Sequence, residues 1–172
     1  MKKSVFMIIL SLFSLSLLQA ETVLFCISDN GEEAEKSPWT ISVLRAFEDG
    51  IMNEFFEAGH IVTNSYLNEC RKLSGSAAKD NNDVARIMGN RLGAGSVMIL
   101  EVNFPEAVED TLPVPQNAKY SLYTNTGRTV SSEAVKELKI RRELGMEELL
   151  DSFTEAGADM ASELVTKLQS FN

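Results

Sequence analysis

The spacing of apolar positions changes several times along the chain, and each change marks an element. Thr22–Ser28, "TVLFCIS", is apolar almost throughout, the pattern of a strand buried on both faces and central in its sheet. At Ser37-Pro38, an N-cap followed by proline at the first helical position, the period becomes helical and stays so to about Ala58. Leu44, Phe47, Ile51 and Phe55 form one stripe, and Arg45, Glu48, Asp49 and Glu54 face water. Gly59 closes this helix. Gly50 inside it costs about 1 kcal/mol against alanine, so another element is expected to pack closely there. His60–Ser65 reads as a short strand, and Tyr66–Lys79 as an irregular or briefly helical connection. "DNND" (Asp80–Asp83) offers an N-cap to a second amphipathic helix with the stripe Val84, Ile87, Met88 and Leu92.

Ser96–Phe104 predicts a strand with Met98, Leu100, Val102 and Phe104 on one face. Val97 and Ile99 share the other face with Glu101 and Asn103, so that face turns wet toward the strand end. Pro105–Ala118 is a long loop rich in proline and acids. Tyr120 and Leu122 point inward from the next strand, and "NTGR" (Asn125–Arg128) is a hairpin turn with Gly127 at positive φ. The returning segment places Val130, Ala134, Leu138 and Ile140 at even positions and polar residues at odd ones, which favours a strand. The helix propensity of "EAVKELKIRREL" keeps a helix over Glu133–Leu144 as the rival. Met146–Leu168 closes the chain as a helix with the stripe Leu149, Phe153, Ala156, Met160, Leu164 and Leu168. The order β-α-β-α-β-β-β-α predicts a single α/β domain, a mixed sheet covered by helices, over residues 21–172.

The first twenty residues stand apart. Lys2 and Lys3 precede an apolar run, Val5–Leu18, that is fourteen residues long, shorter than the roughly 18 of a membrane span. Ala20 is a small residue at the cleavage position. We expect residues 1–20 to be a secretory signal peptide and the mature chain to start at Glu21 in the periplasm; Leu18, large at the −3 position, leaves an uncleaved anchor as the alternative. Loss of Lys2 and Lys3 takes the net charge from −9 to −11. Such a chain does not suit nucleic acid or an anionic membrane surface, and no stable membrane insertion is expected after cleavage. Export makes a disulfide between Cys26 and Cys70 permissible, but spacing alone does not distinguish it from two separate thiols.

Gly93-Ala94-Gly95 resembles a phosphate loop only superficially. Such a loop follows a strand and opens a helix, so that helix N–H groups face the anion. Here the glycines follow a helix and open a strand, where an anion would meet carbonyl dipoles. A helix C-cap and a tight corner account for both residues.

That corner also carries a likeness. "DVARIMGNRLGAGSVMILEVNF" resembles the stretch of helix, Leu-Gly-Ala and apolar strand found in a group of bacterial envelope domains. The group includes the curli-secretion protein CsgG, the penicillin-binding-protein activator LpoB, the middle domain of flagellar FlgT and the N-terminal domain of TolB. "LRAFEDGIMNEFFEAGHIVTNS" is similar to their first helix and second strand, and "YSLYTNTGRTV" to their hairpin. The resemblance implies a non-enzymatic module that contacts another envelope protein. The lipid-bearing cysteine of the curli and activator members is absent, and so is a pair of membrane-inserting hairpins.

Candidate chemistry is sparse. His60 is the only histidine; it reads as a surface or edge imidazole, and pairing with Cys70 as base and nucleophile lacks any local signature. The acidic stretches lack the spacing of a calcium loop, so no metal and no cofactor are expected. Trp39 reads as a core or staple residue. Arg128, Lys136, Lys139, Arg141 and Arg142 form the only basic concentration, interleaved with Glu133, Glu137 and Glu143. They are the candidate contact residues for an acidic envelope partner. The alternatives are a periplasmic small-molecule or glycan-binding protein, or a hydrolase working through paired carboxylates. Intact-mass measurement of the exported protein should show Glu21 at its N-terminus; a mass that retains Met1 would defeat the cleaved-signal reading.

Overall fold

Side-chain parity on the first strand divides the protein into two cores. The computed structural model describes residues 21–29, 38–104, 114–135 and 145–171. Residues 1–20, the Ser37 cap, most of the Pro105–Ala118 loop and residues 136–144 lie outside them. Strand β1 (Thr22–Asp29) sends Val23, Phe25 and Ile27 to one face, and Leu24 and Cys26 to the other, all buried. It is therefore apolar on both sides, as expected.

The chain then builds helix α1 (Pro38–Glu57), β2 (Ile61–Tyr66), α2 (Leu67–Ser74), α3 (Asn81–Leu92) and β3 (Ser96–Asn103). A hairpin of β4 (Asn117–Thr124) and β5 (Thr129–Val135) follows, and helix α4 (Met146–Phe171) ends it. The strand order is β2-β1-β3-β4-β5, with β1 parallel to β2 and β3, and β4 antiparallel to β3 and β5. From β1 the chain crosses to β2 on one side, then returns from β2 past β1 to β3. Crossovers of one hand that run in opposite directions must lie on opposite faces of the sheet. Accordingly α1 packs with the Val23 and Phe25 core, and α2 and α3 with the Leu24 and Cys26 core. This is a mixed five-stranded α/β domain with helices on both faces.

The larger core lies under α1 and α4, with Phe47 and Phe153 rings 5.3 Å apart and tilted. The two helices touch at backbone distance. A Cβ on Gly50 would run into the Thr154 carbonyl oxygen and sit 2.9 Å from the Ala158 nitrogen; one on Gly157 would sit 2.5 Å from the Phe47 carbonyl oxygen. The close packing expected at Gly50 is therefore its crossing with α4.

Two expectations need correction. In α3 the buried face is Val84, Ala85, Met88 and Gly89, and Leu92 is exposed. Gly89 lets α3 approach the sheet so closely that a Cβ there would lie 3.2 Å from Val97 and 3.3 Å from Asn125; the small Ala85 and Gly89 join Val84 and Met88 of the expected stripe on the inner face, while Leu92 leaves it. In β5 the even-position rule breaks at once. Leu122 pairs with Ser131 and Tyr123 with Thr129, so a bulge at Val130 shifts the parity. Ser131 is buried and Ala134 exposed as a result. Of the two readings of Tyr66–Lys79, irregular or briefly helical, the helical one holds: the connection comprises α2 and a turn of 3-10 helix at Gly75–Ala77. Over residues 133–135 the strand prevails over the rival helix.

Gly50→Ala should lower the unfolding free energy by at least about 2 kcal/mol, because it overpacks against backbone that cannot rotate away. Gly93→Ala should cost about 1 kcal/mol, since Gly93 has φ +68° but open space where a Cβ would go. Denaturant unfolding of the two variants checks the contrast; a neutral Gly50→Ala would show that the helices do not cross as described.

Candidate functional site

The parallel strands β1, β2 and β3 all end at one rim of the sheet, the side on which open α/β sheets present ligand-binding crevices. Two polar groupings occupy that rim. On the α2/α3 face, Arg71 Nη2 donates to Asn81 Oδ1 at 3.0 Å and to Glu101 Oε1 at 3.2 Å, and Asn81 Nδ2 donates to Glu101 Oε2 at 3.2 Å. Glu101 sits there because the outer parity of β3 turns polar after Ile99, as the strand pattern predicted. Tyr123 on β4 adjoins this network. Burial pushes its phenol up, the Glu101 and Asp80 charges add to this, and hydrogen bonding with Ser121 and Asn81 opposes it. The network satisfies itself: it ties α2 and the start of α3 to the end of β3.

The second grouping is a cleft of about 250 Å³ at the ends of β1 and β2, lined by Ile27, Glu48, Asn64, Ser65, Tyr66 and Glu69. Asn64 Nδ2 donates to Glu48 Oε1 across it. Two carboxylates on the walls of one cleft, on different helices, are what a carboxylate hydrolase or a polar-ligand site would need. Sequence reasoning missed the pairing because Glu48 and Glu69 are brought together only by the β1–β2 crossover.

A third grouping joins β4 and β5 to α4. Tyr120 Oη donates to Glu163 Oε2 at 2.6 Å, and its own pKa is raised by burial first and by that carboxylate second. Lys167 Nζ donates to Ser131 Oγ at 2.9 Å and to Glu133 Oε1 at 2.7 Å. A serine beside a lysine suggests a nucleophile and base, but this ammonium donates to both neighbours and has no lone pair with which to take the Ser131 proton. Arg128 is exposed, its guanidinium 5.1 Å from the centre of the Phe171 ring. Lys136, Lys139, Arg141 and Arg142 lie outside the described residues.

Other candidates fall elsewhere. His60 is buried rather than at the surface, its ring edge-on to Phe55 with centroids 6.0 Å apart, and neither ring nitrogen has a hydrogen-bond partner among the described residues. Cys70 belongs to the core on the opposite face, so the two cannot act as nucleophile and base. Trp39 is 45% exposed and is not a core residue. At the glycine corner, Gly93 caps α3 in the left-handed conformation, and Gly95 admits the Glu21 side chain, whose Oε1 accepts from Ser96 Oγ at 2.9 Å. Among the described residues no cluster of His, Cys, Asp or Glu has the geometry of a metal site, and no helix is long and apolar enough to cross a membrane.

No protein-family model matches the chain, and no curated protein matches it. Solved structures do. The competence damage-inducible protein A of Klebsiella pneumoniae is similar at 11% identity with a TM-score of 0.50, over 95% of this chain and 96% of that one. The hypothetical protein CT253 of Chlamydia trachomatis is 13% identical with a TM-score of 0.47, over 88% of this chain and 98% of that one. The C-terminal domain of Escherichia coli LpoB is 15% identical with a TM-score of 0.35, over 67% and 81%. At such identities the likeness is one of fold. LpoB was named from the sequence, and the competence-related protein was not.

The cleft generates a pH prediction. Burial and the Asp49 charge hold the Glu48 carboxyl above its ordinary value of 4.5, against an opposing pull from Arg45. A raised acid pKa means that the folded state binds the proton more tightly than the unfolded chain, so the ionised form costs stability above the raised value. That cost disappears as pH falls below about 4.5. Glu48→Gln, which still accepts from Asn64, should therefore stabilise the fold at pH 7 by no more than about 0.5 kcal/mol, the half-exposed group being screened. The gain should vanish by pH 4, and thermal melts of both proteins across that range would show it.

Proposed function

We infer that this chain is an exported, non-enzymatic binding module that contacts another protein of the cell envelope along the β5 side of its sheet. The observation that carries the reading is the position of β5. It ends the sheet, with Thr129, Ser132, Glu133 and Ala134 exposed, and it is flanked by the exposed pair of Arg128 and Phe171. A terminal strand offers backbone donors and acceptors to an incoming segment. In sequence Arg128 precedes that strand and Lys136, Lys139, Arg141 and Arg142 follow it, on a chain of formal net charge −9, so the partner surface that suits them is acidic. The resemblance to envelope assembly domains supports the same class of function. Periplasmic residence follows if residues 1–20 are cleaved as expected.

A second reading rests on the Glu48 and Glu69 cleft: a small polar ligand or glycan held, or cut, at the rim of the sheet. A ligand-stabilisation screen discriminates, because a binder of this kind gains melting temperature with ligand in proportion to its occupancy.

Surface charges change association rate and its salt dependence far more than folding. Reversing Lys139 and Arg141 to Glu should leave the melting temperature within about 1 °C of wild type. Cross-linked partner recovery from the envelope should fall several-fold at low salt and less at high salt. Equal recovery from wild type and the double reversal, at matched expression and low salt, would remove the basis for this surface.

A further inference from the structure

We propose that Cys26 and Cys70 are joined as a disulfide in the exported protein, covalently fastening α2 to the central strand. The two Sγ atoms lie 3.3 Å apart, from residues 44 positions apart in sequence, and both side chains are fully buried in the core between the sheet and α2. An S–S bond is about 2.05 Å long, so closure asks the sulfurs to approach by little more than about 1 Å. The pair also meets a need of the fold. Helix α2 has eight residues, too few to persist alone, and it buries only Leu67, Cys70 and Ser74. Its hold on the sheet is one leucine, the sulfur contact and the partly exposed Arg71 pair with Glu101.

Chemically the step is thiol–disulfide exchange with an oxidant that is itself a disulfide, either a protein dithiol carrier or a low-molecular-weight disulfide. One cysteine thiolate attacks an oxidant sulfur, forming a mixed disulfide and expelling one oxidant thiolate. The other cysteine thiolate then attacks the protein sulfur of that mixed disulfide, forming the Cys26–Cys70 bond and expelling the second. The protein gives up two protons and two electrons, and the oxidant leaves as a dithiol if it is a protein carrier or as two thiols if it is a low-molecular-weight disulfide. In the seated state the contact with Cys26 lowers the Cys70 thiol, while the same contact and burial push Cys26 up; before α2 is seated neither shift exists and either thiolate can attack first. Because both sulfurs are buried in the folded protein, exchange takes place as the chain folds, before α2 is seated.

The inference depends on export for its oxidising setting, and the test separates the two. Full-length protein exported into a bacterial periplasm is trapped with an alkylating agent in denaturant. It should carry no adduct before reduction and two after, with a peptide linking Cys26 to Cys70. In parallel, protein from a reducing cytosol is unfolded, reduced and refolded with oxidised glutathione. It should gain the same bond, and its melting temperature should exceed that of the reduced form by about 5 °C or more. A Cys26→Ala, Cys70→Ala double variant should show no melting difference between oxidising and reducing buffer. Two adducts without reduction after oxidative refolding would overturn the pairing itself. Two adducts only in the cell-derived protein, with the bond forming on refolding, would overturn the exported state and the location with it.

Discussion

The crossing of α1 over α4 at glycine is the constraint on which the rest of the structure hangs. With Gly50 against the Thr154 carbonyl and Gly157 against the Phe47 carbonyl, the two longest helices are in backbone contact. No side chain there can adjust the spacing. Phe47 and Phe153 then flank the crossing as a tilted pair, and Phe55, Leu149 and Leu164 fill the space down to the sheet. Close-packed interiors transmit small displacements. The place of α4 fixes which residues of β4 and β5 it covers, and hence that Tyr120 meets Glu163 and that Ser131 and Glu133 meet Lys167.

The opposite face is held by different means. Helix α3 also approaches the sheet through a glycine, Gly89, and its first turn is capped by Asp80, which accepts from the Asp83 amide at 2.9 Å. Gly127 in the hairpin turn presses on the same turn of helix, and Asn82 Nδ2 donates to the Gly127 carbonyl at 2.9 Å. Helix α2, by contrast, lacks both a side-chain N-cap and a glycine contact. The chemistry at its base, Cys70 against Cys26 and Arg71 against Glu101, stands where packing stands elsewhere.

These differences explain what could be read from the sequence. Periodicity found β1, β3, β4 and the three long helices, because burial on one or two faces writes a repeat into the chain; β2 and β5 were placed as strands although β2 has no fully buried residue and β5 breaks the expected parity. It also found the Gly50 contact, the Gly93 cap and the wet end of β3, where one residue type has one geometric meaning. It failed where the third dimension chose between equivalent patterns. Leu92 looked like core until Gly89 turned α3 about its axis. The bulge at Val130 reversed the parity of β5 after a single residue. His60 looked like an edge residue because nothing local reveals that it is covered beside Phe55. The Glu48–Glu69 cleft and the Cys26–Cys70 contact depend on the β1–β2 crossover, which brings together residues with no shared sequence neighbourhood.

Charge placement follows the same division between structural and available groups. Arg71 is bound to Glu101, Arg86 to Asp83 at 3.1 Å and Lys167 to Glu133 at 2.7 Å, so each of these cations spends its charge on its own fold. Arg128 differs in kind. Its guanidinium lies over the face of Phe171 rather than against a carboxylate of the described residues. On an acidic chain, an approaching negative surface is repelled over most directions and attracted only where unneutralised cations gather. Arg128 stands at the head of β5, and the next basic residues follow that strand directly. Arg128 therefore brings a positive charge to the head of the strand that ends the described sheet.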